Sequence, residues 1–337
     1  MKSQRLAICS SLFLLAIIQM TAQSADLYPL ELVKPGQKGY GKTVFEGTKV
    51  DTFQVDILGV LKNVGPKQNV ILARLSGAQL KQTGIFGGMS GSPVYIEDKL
   101  VGAVAYAFSF AKEPIAGITP IQEMVNIFKE NPQSRFRVGQ RVNPQKMYQV
   151  AHFSKRLSEF ELPQFLVNPS LTGGQNLGNL QPIATPLNLS GFSPQSIQQF
   201  ALQLETLGLV PVRGIGSAKI DDYKDLPLQA GSPIIVQLVR GDMDVSAGGT
   251  VTHLSGEKVY AFGHPFLSIG STDLPLSKAA VLTIVPSLMT SLKISAPTQF
   301  IGSIKQDRAT GILGVTGEKS QLIPVRLTLH TSRNKLK

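Results

Sequence analysis

Apolar and polar residues first alternate with a strand-like period between residues 28 and 130. Thr52-Phe-Gln-Val-Asp-Ile-Leu-Gly-Val-Leu mixes alternating and continuous apolar positions, and Val70-Ile-Leu-Ala-Arg-Leu predicts a second strand. Val94-Tyr-Ile, then Glu97-Asp98, then Leu100-Val-Gly-Ala-Val-Ala-Tyr-Ala-Phe predict a hairpin closed by a tight turn. Thr119-Pro120-Ile-Gln122 predicts a helix start, with Thr119 as N-cap, Pro120 in the first position and Gln122 reaching back as a capping box. Ile121, Met124, Val125 and Phe128 would form its apolar face.

The pattern weakens over residues 131–235, where Asn, Gln, Pro and Gly are frequent. A capped helix is expected from Ser193-Pro194 to about Leu207, with Gly208 as its stop. Strand character returns in Ile234-Ile-Val-Gln-Leu-Val, Gly249-Thr-Val-Thr-His-Leu, Lys258-Val-Tyr-Ala-Phe and Leu322-Ile-Pro-Val-Arg-Leu-Thr-Leu. Ser255-Gly256 marks a hairpin turn between the middle two. The expected organisation is a β-rich lobe over 26–130, an irregular α+β connector or insert over 131–235, and a second β-rich lobe over 236–330.

The first residues have the layout of a secretory signal peptide. Lys2 and Arg5 precede an apolar run from Leu6 to Met20, and the small residues Ala22 and Ser24 follow. The run is shorter than the ~20 residues a spanning helix needs, so cleavage after Ser24 or Ala25 is expected, with export to the periplasm or the exterior. The lone cysteine, Cys9, lies inside that segment, so the remaining chain has neither a disulfide nor a thiol nucleophile.

Composition changes this picture in one respect only. The 337 residues include 33 Lys+Arg and 22 Asp+Glu, a formal charge of +11 that raises the question of nucleic-acid binding. Without Lys2 and Arg5 the balance is 31 − 22 = +9, and the remaining positives are dispersed. The densest stretch, Lys129 to Arg156, lacks the interleaved aromatics of a base-stacking platform and reads as a polar connector. No nucleic-acid partner is expected.

The string richest in chemistry is Gly87-Gly88-Met89-Ser90-Gly91-Ser92-Pro93. Glycines beside a serine permit a tight turn that exposes the hydroxyl, and its amides can converge as an oxyanion hole requires. Such turns also occur for structural reasons alone. Ser92 stands where Gly-x-Ser-x-Gly needs its last glycine, which disfavours an α/β-hydrolase elbow. A serine nucleophile needs a base, and the chain has four histidines. His330 lies near the C-terminus, His152 in the connector, and His253 in a strand at an expected surface position. His264, in Tyr260-Ala-Phe-Gly-His-Pro-Phe, leaves an apolar strand for a turn, which suits either a general base or a strand-end cap. No clustered metal ligands, His-x-x-x-His or Gly-x-Gly-x-x-Gly is present, so no metal or cofactor is expected.

Gly88-Met-Ser-Gly-Ser-Pro-Val, Leu100-Val-Gly-Ala-Val and Ala261-Phe-Gly-His264 resemble the motif blocks of the SpoIVB (stage IV sporulation protein B) serine peptidase family. Gly302-Ser-Ile-Lys-Gln-Asp-Arg-Ala-Thr-Gly-Ile-Leu-Gly314 resembles that family's glycine-rich segment. The resemblance spans about residues 35–120 and 245–327. It implies two chymotrypsin-like β-barrel lobes, with Ser90 as nucleophile, His264 as base, and the amides of Gly88 and Ser90 as oxyanion hole.

Two departures accompany it. The serine block precedes the histidine block, the reverse of the family order, which implies circularly permuted lobes. The family's acid falls at Ser76, leaving Ser76, Asp273, Asp307 or a backbone carbonyl to orient His264. The expected function is an exported serine endopeptidase acting on a protein or peptide. The alternative is a peptidase-fold protein with little or no activity that serves as an envelope binding or scaffold module.

Overall fold

Two six-stranded antiparallel barrels form successively along the chain. The computed structural model describes residues 26–129, 180–214, 227–330 and 335–336. The first barrel comprises β1 (Lys38–Val44), β2 (Val50–Gly65), β3 (Gln68–Ser76), β4 (Pro93–Ile96), β5 (Lys99–Phe108) and β6 (Ile115–Pro120), with the short helices α1 (Leu80–Thr83) and α2 (Ile121–Asn126). After β7 (Leu180–Pro182), β8 (Thr185–Ser190), α3 (Pro194–Thr206) and β9 (Leu209–Arg213), the second barrel follows. Its strands are β10 (Pro233–Val239), β11 (Asp244–Ser255), β12 (Lys258–Ala261), β13 (Gly270–Val285), β14 (Leu292–Arg308) and β15 (Gly311–Thr316).

The barrels share one connectivity. Taking the six strands of each in order, the first pairs with the second, the second with the third, the third with the sixth, the sixth with the fifth, the fifth with the fourth, and the fourth with the first. Closure leaves no free edge within either ring. The fold is mainly β, as expected, and consistent with chymotrypsin-like barrels. The described part of residues 131–235 extends both sheets: β7 pairs with β5, and β8 pairs with β11 and, in parallel, with β9. The β8–α3–β9 crossover is the helical connection that a parallel pair requires.

Local signals explain several elements. Ser193 Oγ accepts the Ser196 N–H, and Pro194 begins α3, so that cap forms as expected. Glu97 and Asp98 both take positive φ in the two-residue turn between Ile96 and Lys99. At α2 the expected cap does not form. Thr119 Oγ1 donates instead to the Gly263 carbonyl of the second barrel (2.6 Å), and Gln122 Nε2 donates to the Tyr28 carbonyl. The stretch Leu322 to Leu329, read as strand, has no assigned strand up to Thr328, with Leu322, Ile323, Val325 and Leu327 exposed, and only Leu329 pairs, with Leu336. Strand propensity without a partner strand is insufficient there.

Each barrel has its own apolar core, one around Phe53, Ile71, Leu75 and Phe86, the other around Ile234, Val251, Phe262 and Ile304. A third cluster joins them, packing Tyr95, Leu100, Ile121 and Met124 against Tyr260 and Leu313. No helix among the described residues is long and apolar enough to cross a membrane.

Candidate active site at the barrel seam

Ser90 and His264 occupy corresponding places in the two barrels. Each lies in the connection between the third and fourth strands, Ser90 between β3 and β4, His264 between β12 and β13. Both connections face the seam. The Ser90 carbonyl accepts the Thr250 N–H of β11 (2.9 Å), and the Gly263 carbonyl accepts the Thr119 hydroxyl of β6. Thr250 Oγ1 and Thr252 Oγ1 donate to the Gly88 and Gly91 carbonyls (3.0 and 2.7 Å).

The glycine pattern now has a physical reason. Gly91 has φ +94°, and a Cβ there would lie 2.0 Å from the Thr250 oxygen. Only glycine lets this turn approach the opposite barrel so closely. Phe262, two residues before His264, takes φ +72° without glycine's freedom and is strained there. Its ring fills the space that a Gly249 side chain would occupy.

Peptide planes aim the amides. The Gly87 carbonyl accepts the Lys293 N–H, while the Met89 carbonyl accepts both the Ser92 N–H and its hydroxyl. In a trans peptide the following N–H points the opposite way, so those two contacts orient the Gly88 and Ser90 amides. Among the described residues neither amide has a hydrogen-bond acceptor, which leaves a pair of donors two residues apart.

Ser90 is 0% exposed and His264 2% exposed, and among the described residues buried Ser90 Oγ and His264 Nε2 have no hydrogen-bond partner, neither each other nor any other group. An unsatisfied buried polar atom costs about 1–3 kcal/mol. Two such atoms on equivalent turns of one seam are therefore informative. His264 Nδ1 lies 2.8 Å from the Pro265 carbonyl. That oxygen can only accept, so Nδ1 bears the proton and Nε2 its lone pair. Burial holds the imidazole pKa down to about 4, opposed by the bond to Pro265.

The three residues considered for orienting His264 have other partners. Ser76 Oγ donates to Gln54 Oε1 (3.4 Å). Asp273 accepts from Gln321 N–H, Lys305 and Ser303, which together hold its pKa at about 2. Asp307 is buried and accepts the N–H groups of Phe266 and Leu267 (2.8 and 2.7 Å) and, more weakly, Ile269. It grips the loop that carries His264 and makes no hydrogen bond to the ring. Burial pushes its pKa up, opposed by those amides. His253, expected at the surface, is instead buried, its ring stacked on Tyr260, its neighbour across the β11–β12 pair. His152 lies outside the described residues. Among the described residues no group of three His, Cys, Asp or Glu side chains could hold a metal ion.

Thr250 and Lys293 were not singled out by sequence reasoning, and Thr119 was read only as a helix cap. Each acts through a partner more than 100 residues away, a relationship that local pattern does not encode.

Comparison with known proteins matches the SpoIVB peptidase S55 family model to residues 19–125. The chain is similar to that serine peptidase family over this stretch, which takes in β1–β6 and the Ser90 turn; His264 lies beyond it. No curated protein and no solved structure matches.

Proposed function

We propose that the protein is an exported SpoIVB-type serine endopeptidase acting on protein or peptide substrates, with Ser90 as nucleophile and His264 as general base. The supporting observation is the pair of unpartnered buried atoms, Ser90 Oγ and His264 Nε2, on equivalent turns of the two barrels. Neutral His264 holds its lone pair on Nε2, the state needed to take the serine proton as Oγ attacks the carbonyl carbon. The Gly88 and Ser90 amides would receive the developing oxyanion. The imidazolium then returns its proton to the leaving amine, and water repeats the sequence on the acyl-enzyme.

In this reading the Pro265 carbonyl does the tautomer-setting work of a triad acid, and Asp307 steadies the loop beneath it. A carbonyl stabilises imidazolium less than a carboxylate does, so turnover is slow. The serine barrel preceding the histidine barrel corresponds to a permuted order, which a seam site tolerates because geometry alone defines the triad. Since Ser90 is fully buried, substrate entry requires the seam to open.

A second reading follows from the same burial and the missing carboxylate: a peptidase-fold protein serving as a binding or scaffold module in the envelope. A fluorophosphonate probe separates the two. The proposal expects covalent labelling that maps to Ser90 and disappears in Ser90→Ala and His264→Ala. Absence of labelling, or its persistence in Ser90→Ala, overturns it.

A further inference from the structure

Lys293 lies near the start of β14 and is 2% exposed. A lysine this buried ordinarily has an acidic partner. Here its Nζ donates to Thr43 Oγ1 of β1 (3.0 Å) and stands 5.4 Å from the centre of the Phe86 ring. Its main chain belongs to the serine turn's surroundings: the Lys293 N–H donates to the Gly87 carbonyl (2.9 Å), and the Gly87 N–H donates to Ser291 (2.8 Å). Its Cβ and Cδ lie 3.0 and 3.6 Å from where a Gly88 Cβ would be.

We infer that Lys293 is a positioning residue for the oxyanion-binding turn, its main chain aiming the Gly88 amide and its buried ammonium supplying positive potential beside that amide. The inference rests on the peptidase reading above. Acyl transfer creates a negative charge at these donors, and a cation held in a water-poor seam acts on it with little screening and no reorganisation. An ammonium with no anion of its own is poorly stabilised at rest and gains its counter-charge in the transition state, which is differential binding of the kind that raises rate.

The groups around Lys293 are neutral: Thr43 from β1, Phe86 and Gly88 from the turn, and Pro186 of β8, which packs on the same face of Gly88. Lys42, next on β1, directs its ammonium over the Tyr40 and Tyr95 rings. His264 is also titratable and lies in the same seam, as do the tyrosines Tyr95 and Tyr260 of the inter-barrel cluster. No acidic side chain among the described residues pairs with Lys293, and burial lowers its pKa to about 7.

The test is the rate of Ser90 labelling by a fluorophosphonate in the full chain, followed from about pH 5 to pH 10. Wild type should lose rate above about pH 7, as Lys293 gives up its proton. Lys293→Met should be slower by about tenfold or more at pH 6 and lack that alkaline decline. Thr43→Val removes the acceptor that favours the charged form, so its decline should move to lower pH while the rate at pH 6 falls less. Labelling of Ser90 with the alkaline limb unchanged in both variants overturns the role of Lys293 and leaves the peptidase reading intact. If Lys293→Met does not fold, the limb in Thr43→Val decides alone. Failure of wild type to label at Ser90 overturns both.

Discussion

Ser90 and Thr250 meet across the seam, where the Thr250 N–H reaches the Ser90 carbonyl at 2.9 Å. The same threonine's hydroxyl holds the Gly88 carbonyl. One residue of the second barrel thus pins both carbonyls that flank Met89, and the first barrel alone cannot set the shape of the serine turn. Thr250→Val removes the hydroxyl bond and keeps the main-chain one. It should lower stability by about 1–3 kcal/mol, because the Gly88 carbonyl is left buried without that donor. It should also slow Ser90 labelling, with urea unfolding and labelling rate as the two measurements.

Ser90→Ala should have the opposite effect on stability. Its hydroxyl is buried and unpartnered, so its removal relieves a desolvation penalty. The variant should be as stable as wild type or up to about 2 kcal/mol more so, while labelling vanishes. A loss above about 1 kcal/mol in urea unfolding would contradict an unsatisfied Oγ.

His264 predicts acid sensitivity. Its pKa falls from 6.5 to about 4 on folding, so between these values the unfolded chain binds the proton and the folded one does not. Stability therefore declines as pH falls from about 6.5 to 4, by on the order of 3 kcal/mol, and this contribution levels off below 4. His264→Phe should remove that part of the decline in unfolding curves taken at pH 7.5, 5.5 and 4.5.

Lys293 predicts the alkaline counterpart. Its pKa falls from 10.5 to about 7, so stability rises with pH between those values as the folded protein sheds the buried charge first. Lys293→Met removes that charge without a large change of volume and should exceed wild type in stability at pH 6, with the difference shrinking towards pH 10. Equal pH slopes for the two proteins would show that Lys293 is not desolvated.

Asp307→Ala should cost about 3–5 kcal/mol, since at least three loop amides lose their common acceptor in a buried setting. Asp307→Asn keeps one acceptor oxygen and should lose less. Thermal unfolding ranks the two, and both should label more slowly than wild type because the loop carrying His264 loosens.

Much of the architecture was legible where burial is one-sided and local. The β2 to β5 strands, the turn at Glu97-Asp98 and the cap at Ser193 follow from alternation and turn chemistry, whereas β6 was hidden behind the helix-start pattern at Thr119-Pro120. β13 and β14, the longest strands of the second barrel, escaped because Pro, Ser and Lys interrupt their apolar positions and bulges break the period of two. Leu322 to Leu327 shows the converse, a strand-like pattern without a neighbouring strand to pair with.

The amino-acid sequence by itself determined that the chain is mainly β, and its glycine-framed serine and Gly-His turn made Ser90 and His264 candidates that the family resemblance joined into one site. Those features are short-range, carried by residue size, backbone freedom and periodicity. Tertiary structure alone decided what surrounds them: Thr250 on the serine turn, Asp307 under the loop of His264, and Lys293 buried with no acidic partner among the described residues. The cross-barrel and loop-to-strand contacts among these join residues far apart in the chain, and closure of two barrels against one seam brings them within hydrogen-bond range. The same closure removes water, and that removal shifts both His264 and Lys293 towards their neutral forms.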